Sequence, residues 1–113
     1  MPRTFERGDI LQLDLEPTKG KEQRGQRPVF VLSPATFNRH GLAIVLPITR
    51  GVGLGRGSGF AAPLSGAGLV TDGVVLCDQP RTVDPAARNA QYIETAPSYV
   101  VDDVLARLAP LVT

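Results

Sequence analysis

Apolar residues fall at helix spacing in one short segment of this chain, near its end. Before it they alternate with polar residues or run together in pieces of five to eight, each cut off by glycine or proline. With 12 glycines and 10 prolines among 113 residues, no long helix fits the first 90 or so positions, and strands do. "DILQLDL" (9–15) sets Ile10, Gln12 and Asp14 against Leu11, Leu13 and Leu15, the period of a half-buried strand. "RPVFVLS" (27–33) is continuously apolar at its centre, which predicts a central strand ended by Pro34. "ATFNRHG" turns the chain into "LAIVLPIT" (42–49). "FAAPL" (60–64) is short, and Pro63 marks it as an edge or a bulge. "SGAGLVTDG" is a turn-rich link, "VVLCDQ" (74–79) is a strand, and "RTVD" continues it beyond Pro80.

The helical exception is Val101, Val104, Leu105 and Leu108, spaced i, i+3, i+4, i+7. Thr95 or Ser98 caps the start, with Pro97 in the first turn, and Pro110 ends the helix. Asp102 and Asp103 early and Arg107 late suit the helix dipole. The expectation is one domain over 1–113, mainly β with a C-terminal α-helix packed on a barrel or twisted sheet.

A charged fraction of 20% and a hydrophobic fraction of 42% belong to a globular chain, not a disordered one. No apolar run approaches the ~20 residues of a membrane span, and "MPRTFERGD" has no apolar centre of a signal peptide. The single cysteine, Cys77, lies in "VVLCD" and reads as a buried thiol, which with those two points places the chain in the cytoplasm. A net charge of +1 conceals an asymmetry. Residues 1–60 hold nine Lys/Arg against five Asp/Glu, and residues 61–113 three against six. That split suits an anionic partner on one face.

The cations concentrate in "EPTKGKEQRGQR" (16–27), where Lys19, Lys21, Arg24 and Arg27 mix with Glu16 and Glu22. Such density exceeds what a solvated loop needs and suits a phosphate backbone. "RGVGLGRGSGF" (50–60) has five glycines in eleven residues and reads as a second loop. It lacks the G-K-[ST] of a nucleotide-binding loop and precedes a strand instead of a helix. The lone histidine, His40, sits in a turn with no partners for a zinc site, so no metal and no cofactor is expected. Polar residues at strand ends remain: Arg27, Thr49 followed by Arg50, and Asp78 with Gln79. Each alone has an ordinary structural use; together, beside two loops, they outline a site.

The stretches "ERGDI", "EPTKGKEQRGQRPVFVLSP", "FN", "PIT", "GF" and "GVVLCDQPRTVD" resemble the MazF/PemK toxins of bacterial toxin–antitoxin modules, the Kid/PemK and ChpB branch in particular. E-Q-x-G-x-R-P at 22–28 together with D-Q-P-R-T-x-D at 78–84 carries the resemblance nearly end to end. It implies an SH3-like β-barrel of the MazF/PemK/CcdB type that forms a homodimer. It also implies a metal-independent, sequence-specific endoribonuclease (an mRNA interferase) acting on single-stranded RNA. The expected ends are a 2′,3′-cyclic phosphate and a 5′-hydroxyl, with growth inhibition relieved by a cognate antitoxin.

By that resemblance Arg27 and Thr49 occupy catalytic positions, with Glu22 as the nearest base and Asp78 as its competitor. RNA contacts are expected from Lys19, Lys21, Gln23, Arg24, Arg50, Gln79 and Arg81. Bases need faces to stack on, and Phe37 and Phe60 are the candidates, although the core can claim both. The chain departs from the Kid branch at two positions, with Leu76 in place of an arginine and Lys21 in place of a histidine, so the acid–base arrangement around Asp78 is incomplete. Two alternatives stand beside the nuclease: a noncatalytic toxin of the same fold acting on a protein such as gyrase, and an RNA-binding module without chemistry.

Overall fold

The structure, a computed structural model, describes residues 3–15, 26–50 and 59–113. Within these, β1 (Asp9–Leu13), β2 (Arg27–Val31), β3 (Ala43–Thr49), β4 (Ala61–Pro63), β5 (Val74–Leu76), β6 (Arg81–Val83) and β7 (Gln91–Thr95) form one antiparallel sheet. Its path is β4-β5-β3-β2-β1-β7, with β6 also paired to β3. A single-turn helix α1 (Ala35–Asn38) joins β2 to β3, and α2 (Ser98–Val112) closes the chain. The expected fold class, mainly β with a C-terminal helix, is what forms, with no pairing between β4 and β7 to close the sheet.

Side chains alternate across the strands, and in β1–β3 both faces are buried. One face sends Ile10, Phe30, Leu46 and Ile48 into a core completed by Ala62, Leu64, Val75, Cys77 and the helical Val100 and Val104. The other sends Leu11, Leu13, Val29, Val31, Ala43 and Val45 against Val83, with Phe5, Leu15 and Ala90 packed around them. Each such side chain contributes about 1.5–3 kcal/mol on burial. The half-buried reading of β1 is therefore corrected: Ile10, Leu11 and Leu13 are all buried, and only Gln12 is exposed between them. β1 also stops at Leu13, because Arg88 takes over the backbone. Its guanidinium donates to the carbonyls of Asp14 (2.8 Å) and Leu15 (2.6 Å).

β2 is central and β4, with Pro63, is an edge strand, as expected. "RTVD" does not prolong β5. After a turn at Cys77–Asp78, β6 pairs with the first half of β3, and β5 keeps the second half. β7, read from sequence as no element, is the edge strand beside β1.

Helix α2 buries Val100 and Val104 and half-buries Val101, Leu105 and Leu108, the predicted face plus one residue. Its ends differ from expectation. Pro97 is the N-cap and no side chain caps the helix, because Thr95 Oγ1 donates instead to the buried Asp9 carboxylate at 2.9 Å. Pro110 lies inside the last turn. There a proline costs little, since it removes one bond, and Thr113 N–H still reaches the Ala109 carbonyl at 3.1 Å. Neither aspartate falls in the first turn nor Arg107 in the last. Arg107 pairs with Asp103 one turn back at 2.9 Å and donates to the Gly59 carbonyl at 2.9 Å, tying the helix to the chain before β4.

Among the described residues, buried polar side chains are satisfied. Ser33 Oγ accepts Ile44 N–H at 2.8 Å and donates to Asn38, whose amide donates to the carbonyls of Phe5 (2.8 Å) and Ser33 (2.9 Å). Cys77 is wholly buried, and burial pushes its thiol up from 9.0 to about 11. At pH 8 the native thiol is therefore expected to resist a disulfide reagent such as DTNB and to react fully in denaturant. Rapid labelling of the native protein would contradict its burial.

Candidate functional site

β2 and β3 pair with Val29 opposite Pro47 and Val31 opposite Val45. Continuing that register two residues sets Arg27, the first residue of β2, opposite Thr49, the last of β3. Register partners present their side chains on the same face of a sheet. Both residues line a cleft of about 670 Å³ together with Gln12, Gln26, Arg50 and the segment Val70–Asp72. Arg27 and Arg50 are exposed, and Thr49 is half-buried. Two guanidiniums and a hydroxyl at one rim can donate to an oxyanion.

The far wall is built by residues that sequence reading did not single out. Val70–Asp72 belongs to no helix or strand. Glu94 of β7 accepts the backbone N–H of Val70 (3.0 Å), the N–H of Thr71 (2.8 Å) and the Thr71 hydroxyl (2.6 Å). Burial pushes the Glu94 carboxyl up, but the three hydrogen bonds outweigh it and hold the group below its ordinary value. Gly73 follows at a φ of +118°. A Cβ there would sit 2.3 Å from the Thr49 carbonyl oxygen, so only glycine lets β5 start against Thr49. The sequence signal for Gly73 was the "TDG" turn; Glu94 and Thr71, 23 residues apart, left none.

The other expected site residues divide. Asp78 and Gln79 are exposed on the turn after β5, Arg81 begins β6, and none of the three lines the cleft. Phe60 is half-buried and packs against the helix-side core, so the core claims it at least in part. Phe37 is 38% exposed on α1. Lys19, Lys21, Glu22, Gln23 and Arg24 lie outside the described residues. Gln26, two residues after them, lines the cleft. Among the described residues no group of three His, Cys, Asp or Glu side chains could hold a metal ion, and no helix is long and apolar enough to cross a membrane.

Fold and cleft together define a small antiparallel β protein, capped by one helix, with a cleft at a sheet end lined by Arg27, Thr49 and Arg50. Residues 6–112 match the family of PemK-like, MazF-like toxins of type II toxin–antitoxin systems, and the chain belongs to it. It is 47% identical over 110 residues to the Escherichia coli endoribonuclease PemK, covering 96% of this chain and 83% of that one. It is 43% identical over 109 residues to the endoribonuclease toxin ChpB of E. coli K12, covering 96% and 94%. Its fold superposes on a MazE–MazF crystal structure from Deinococcus radiodurans with a TM-score of 0.85 at 35% identity, over 97% and 96% of the two chains.

Gly73→Ala is expected to push the Thr49 backbone away and to cost about 1–3 kcal/mol. Denaturant midpoints and the amide resonances of Thr49 and Arg50 would report both effects. Gly66→Ala, also at positive φ but with open space around its Cβ, should leave those two resonances in place. If Gly73→Ala leaves them in place too, the close contact is not what positions Thr49.

Proposed function

We propose that the chain is a sequence-specific endoribonuclease toxin that cleaves single-stranded RNA in the cytoplasm without metal. Messenger cleavage then blocks translation and growth until a cognate antitoxin binds. The facing of Arg27 and Thr49 across the end of the β2–β3 pair carries this reading.

RNA brings its own nucleophile. The 2′-oxygen forms a bond to phosphorus as the bond from phosphorus to the 5′-oxygen breaks, which leaves a 2′,3′-cyclic phosphate and a 5′-hydroxyl. The protein must hold the extra phosphorane charge, accept the 2′ proton and return one to the 5′-oxygen. The planar fork of Arg27 suits two equatorial phosphate oxygens, and the Thr49 hydroxyl donates to a third position. An arginine holds its proton at any ordinary pH, so it stabilises charge well and donates protons poorly.

Proton removal falls to a carboxylate. Glu22 is the candidate, on the segment that returns to the described fold at Gln26. Asp78 is the alternative; it lies four residues beyond Val74, the partner of Thr49, at most about 13 Å along an extended chain. Lys19, Lys21, Gln23, Arg24 and Arg50 contact the flanking phosphates and nucleotides, with Gln79 and Arg81 on the adjoining surface. Relatives of this fold include crystal structures of MazE–MazF complexes, which supports neutralisation by an antitoxin; the homodimer is what the family resemblance implies.

A long RNA incubated with the protein in EDTA tests the reading against its alternatives. Cleavage to cyclic-phosphate and 5′-hydroxyl ends is expected. Binding without cleavage would favour a noncatalytic RNA module, and neither would favour a toxin with a protein target. Arg27→Ala and Thr49→Ala, both at polar rim positions, should fold normally and lose at least about tenfold in kcat/KM, or ~1.4 kcal/mol of transition-state stabilisation. Wild-type rates in both variants would sink the site assignment.

A further inference from the structure

Glu94 places a negative charge directly behind the wall of a cleft read as taking a phosphate chain. A carboxylate near phosphates is electrostatically unfavourable unless something else requires it. What it does in the fold is specific. Its two oxygens take three donors from two consecutive residues, Val70 and Thr71, at 2.6–3.0 Å. Among the described residues those donors have no other hydrogen-bond partner, and no β-ladder holds the segment. Glu94 itself is anchored, since β7 pairs it with Ile10 of the doubly packed strand β1. The segment so held carries Val70, 81% exposed, and with Thr71 and Asp72 it lines the same cleft as Arg27 and Thr49.

We propose that Glu94 is a positioning residue for substrate binding: its carboxylate clamps Val70–Asp72 in the conformation that receives the RNA strand opposite Arg27 and Thr49. This rests on the ribonuclease reading and adds to it the group that sets the second wall. Only an acceptor with two free oxygens serves. A glutamine keeps one oxygen and turns an N–H₂ toward a backbone N–H, so the nearly isosteric change breaks half of the clamp. The hydroxyl of Thr71 is the removable third bond, with both backbone donors left in place.

The test uses the full chain with Glu94→Gln, Glu94→Ala and Thr71→Val. Three readouts are needed: hydrogen exchange at the Val70 and Thr71 amides, the Kd for a single-stranded RNA whose cut site carries a 2′-deoxy nucleotide, and cleavage kinetics on the matching all-ribose strand. Both Glu94 variants should expose the two amides while core amides stay protected. They should raise Kd and KM by about tenfold and leave kcat within about twofold, since Arg27 and Thr49 are untouched. Thr71→Val should act in the same direction by about threefold, the worth of one hydrogen bond.

Three results on the variants would overturn the proposal: unchanged amide exchange, freed amides with wild-type Kd and KM, or a fall in kcat at constant KM. A merely structural Glu94 would lower the melting temperature and leave Kd and the KM-to-kcat split as in wild type. A wild-type protein that binds the deoxy strand and cuts nothing would refute the ribonuclease reading alone, and the Kd comparison would still decide the role of Glu94. Absence of any binding by the wild type would overturn both.

Discussion

Three adjacent strands with apolar side chains on both faces are the constraint from which the rest of this fold follows. A sheet buried on one side needs one cover; β1–β3 need two. The larger cover is β4, β5 and helix α2, which bring Ala62, Val75, Val100 and Val104 to one face. The smaller is the β6 residue Val83 with Phe5, Leu15 and Ala90, which close the other. β3 meets both demands by pairing β6 along its first half and β5 along its second. The break between those partners is the turn at Cys77–Asp78, so a sharp turn in the sequence is a consequence of one strand serving two covers.

The same constraint places the site. Apolar burial on both faces stops where β2 begins and β3 ends, and polar residues occupy those positions at little cost in core packing. Arg27 and Thr49 then sit at the end of the β2–β3 pair, whose strands are packed on both faces. Strand pairing fixes the backbone positions from which these two side chains extend, and preorganised donors are what electrostatic stabilisation requires. Gly73 carries the same logic across to β5. Its missing side chain allows the strand next to Thr49 to start in close contact, which fixes the threonine from its other edge.

Much of this was legible in the residues. The apolar runs that became β1, β2, β3 and β5 and the spacing of α2 are strong signals, because burial selects them residue by residue. β7 gave little signal. It is an edge strand with Gln91, Tyr92 and Thr95 exposed, so its sequence need not alternate cleanly. The helix ends misled for a local reason. Thr95 has the chemistry of a cap and is used by Asp9, a buried carboxylate 86 residues away whose demand no local pattern displays. Pro110 breaks a helix interior, yet in the last turn it has almost nothing left to break. In the site, Arg27 and Thr49 could be named because strand ends and family resemblance both point to them. Glu94 could not, since its meaning depends on Thr71 and Val70, which only the fold brings to it.

The departures at Leu76 and Lys21 bear on how the chemistry is divided. Leu76 is half-buried in β5 and pairs with Ala61, so at that position this chain places packing where the Kid branch has an arginine. Asp78, two residues on, is left exposed on a turn outside the cleft. What the sheet offers a phosphate is then permanent positive charge and hydroxyl donors, from Arg27, Arg50 and Thr49. None of these moves protons readily near neutral pH. On the proposed reaction proton transfer falls to groups off the sheet, and the carboxylates placed for it are Asp72 in the cleft lining and Glu22 in the stretch between β1 and β2. Charge stabilisation by a rigid strand pair and proton transfer by a connecting segment have different requirements. The first gains from a rigid frame, and the second needs a group whose proton affinity suits the working pH. A chain that keeps them on separate stretches can vary 16–25, as this one does at Lys21, without changing the strand ends that carry Arg27 and Thr49.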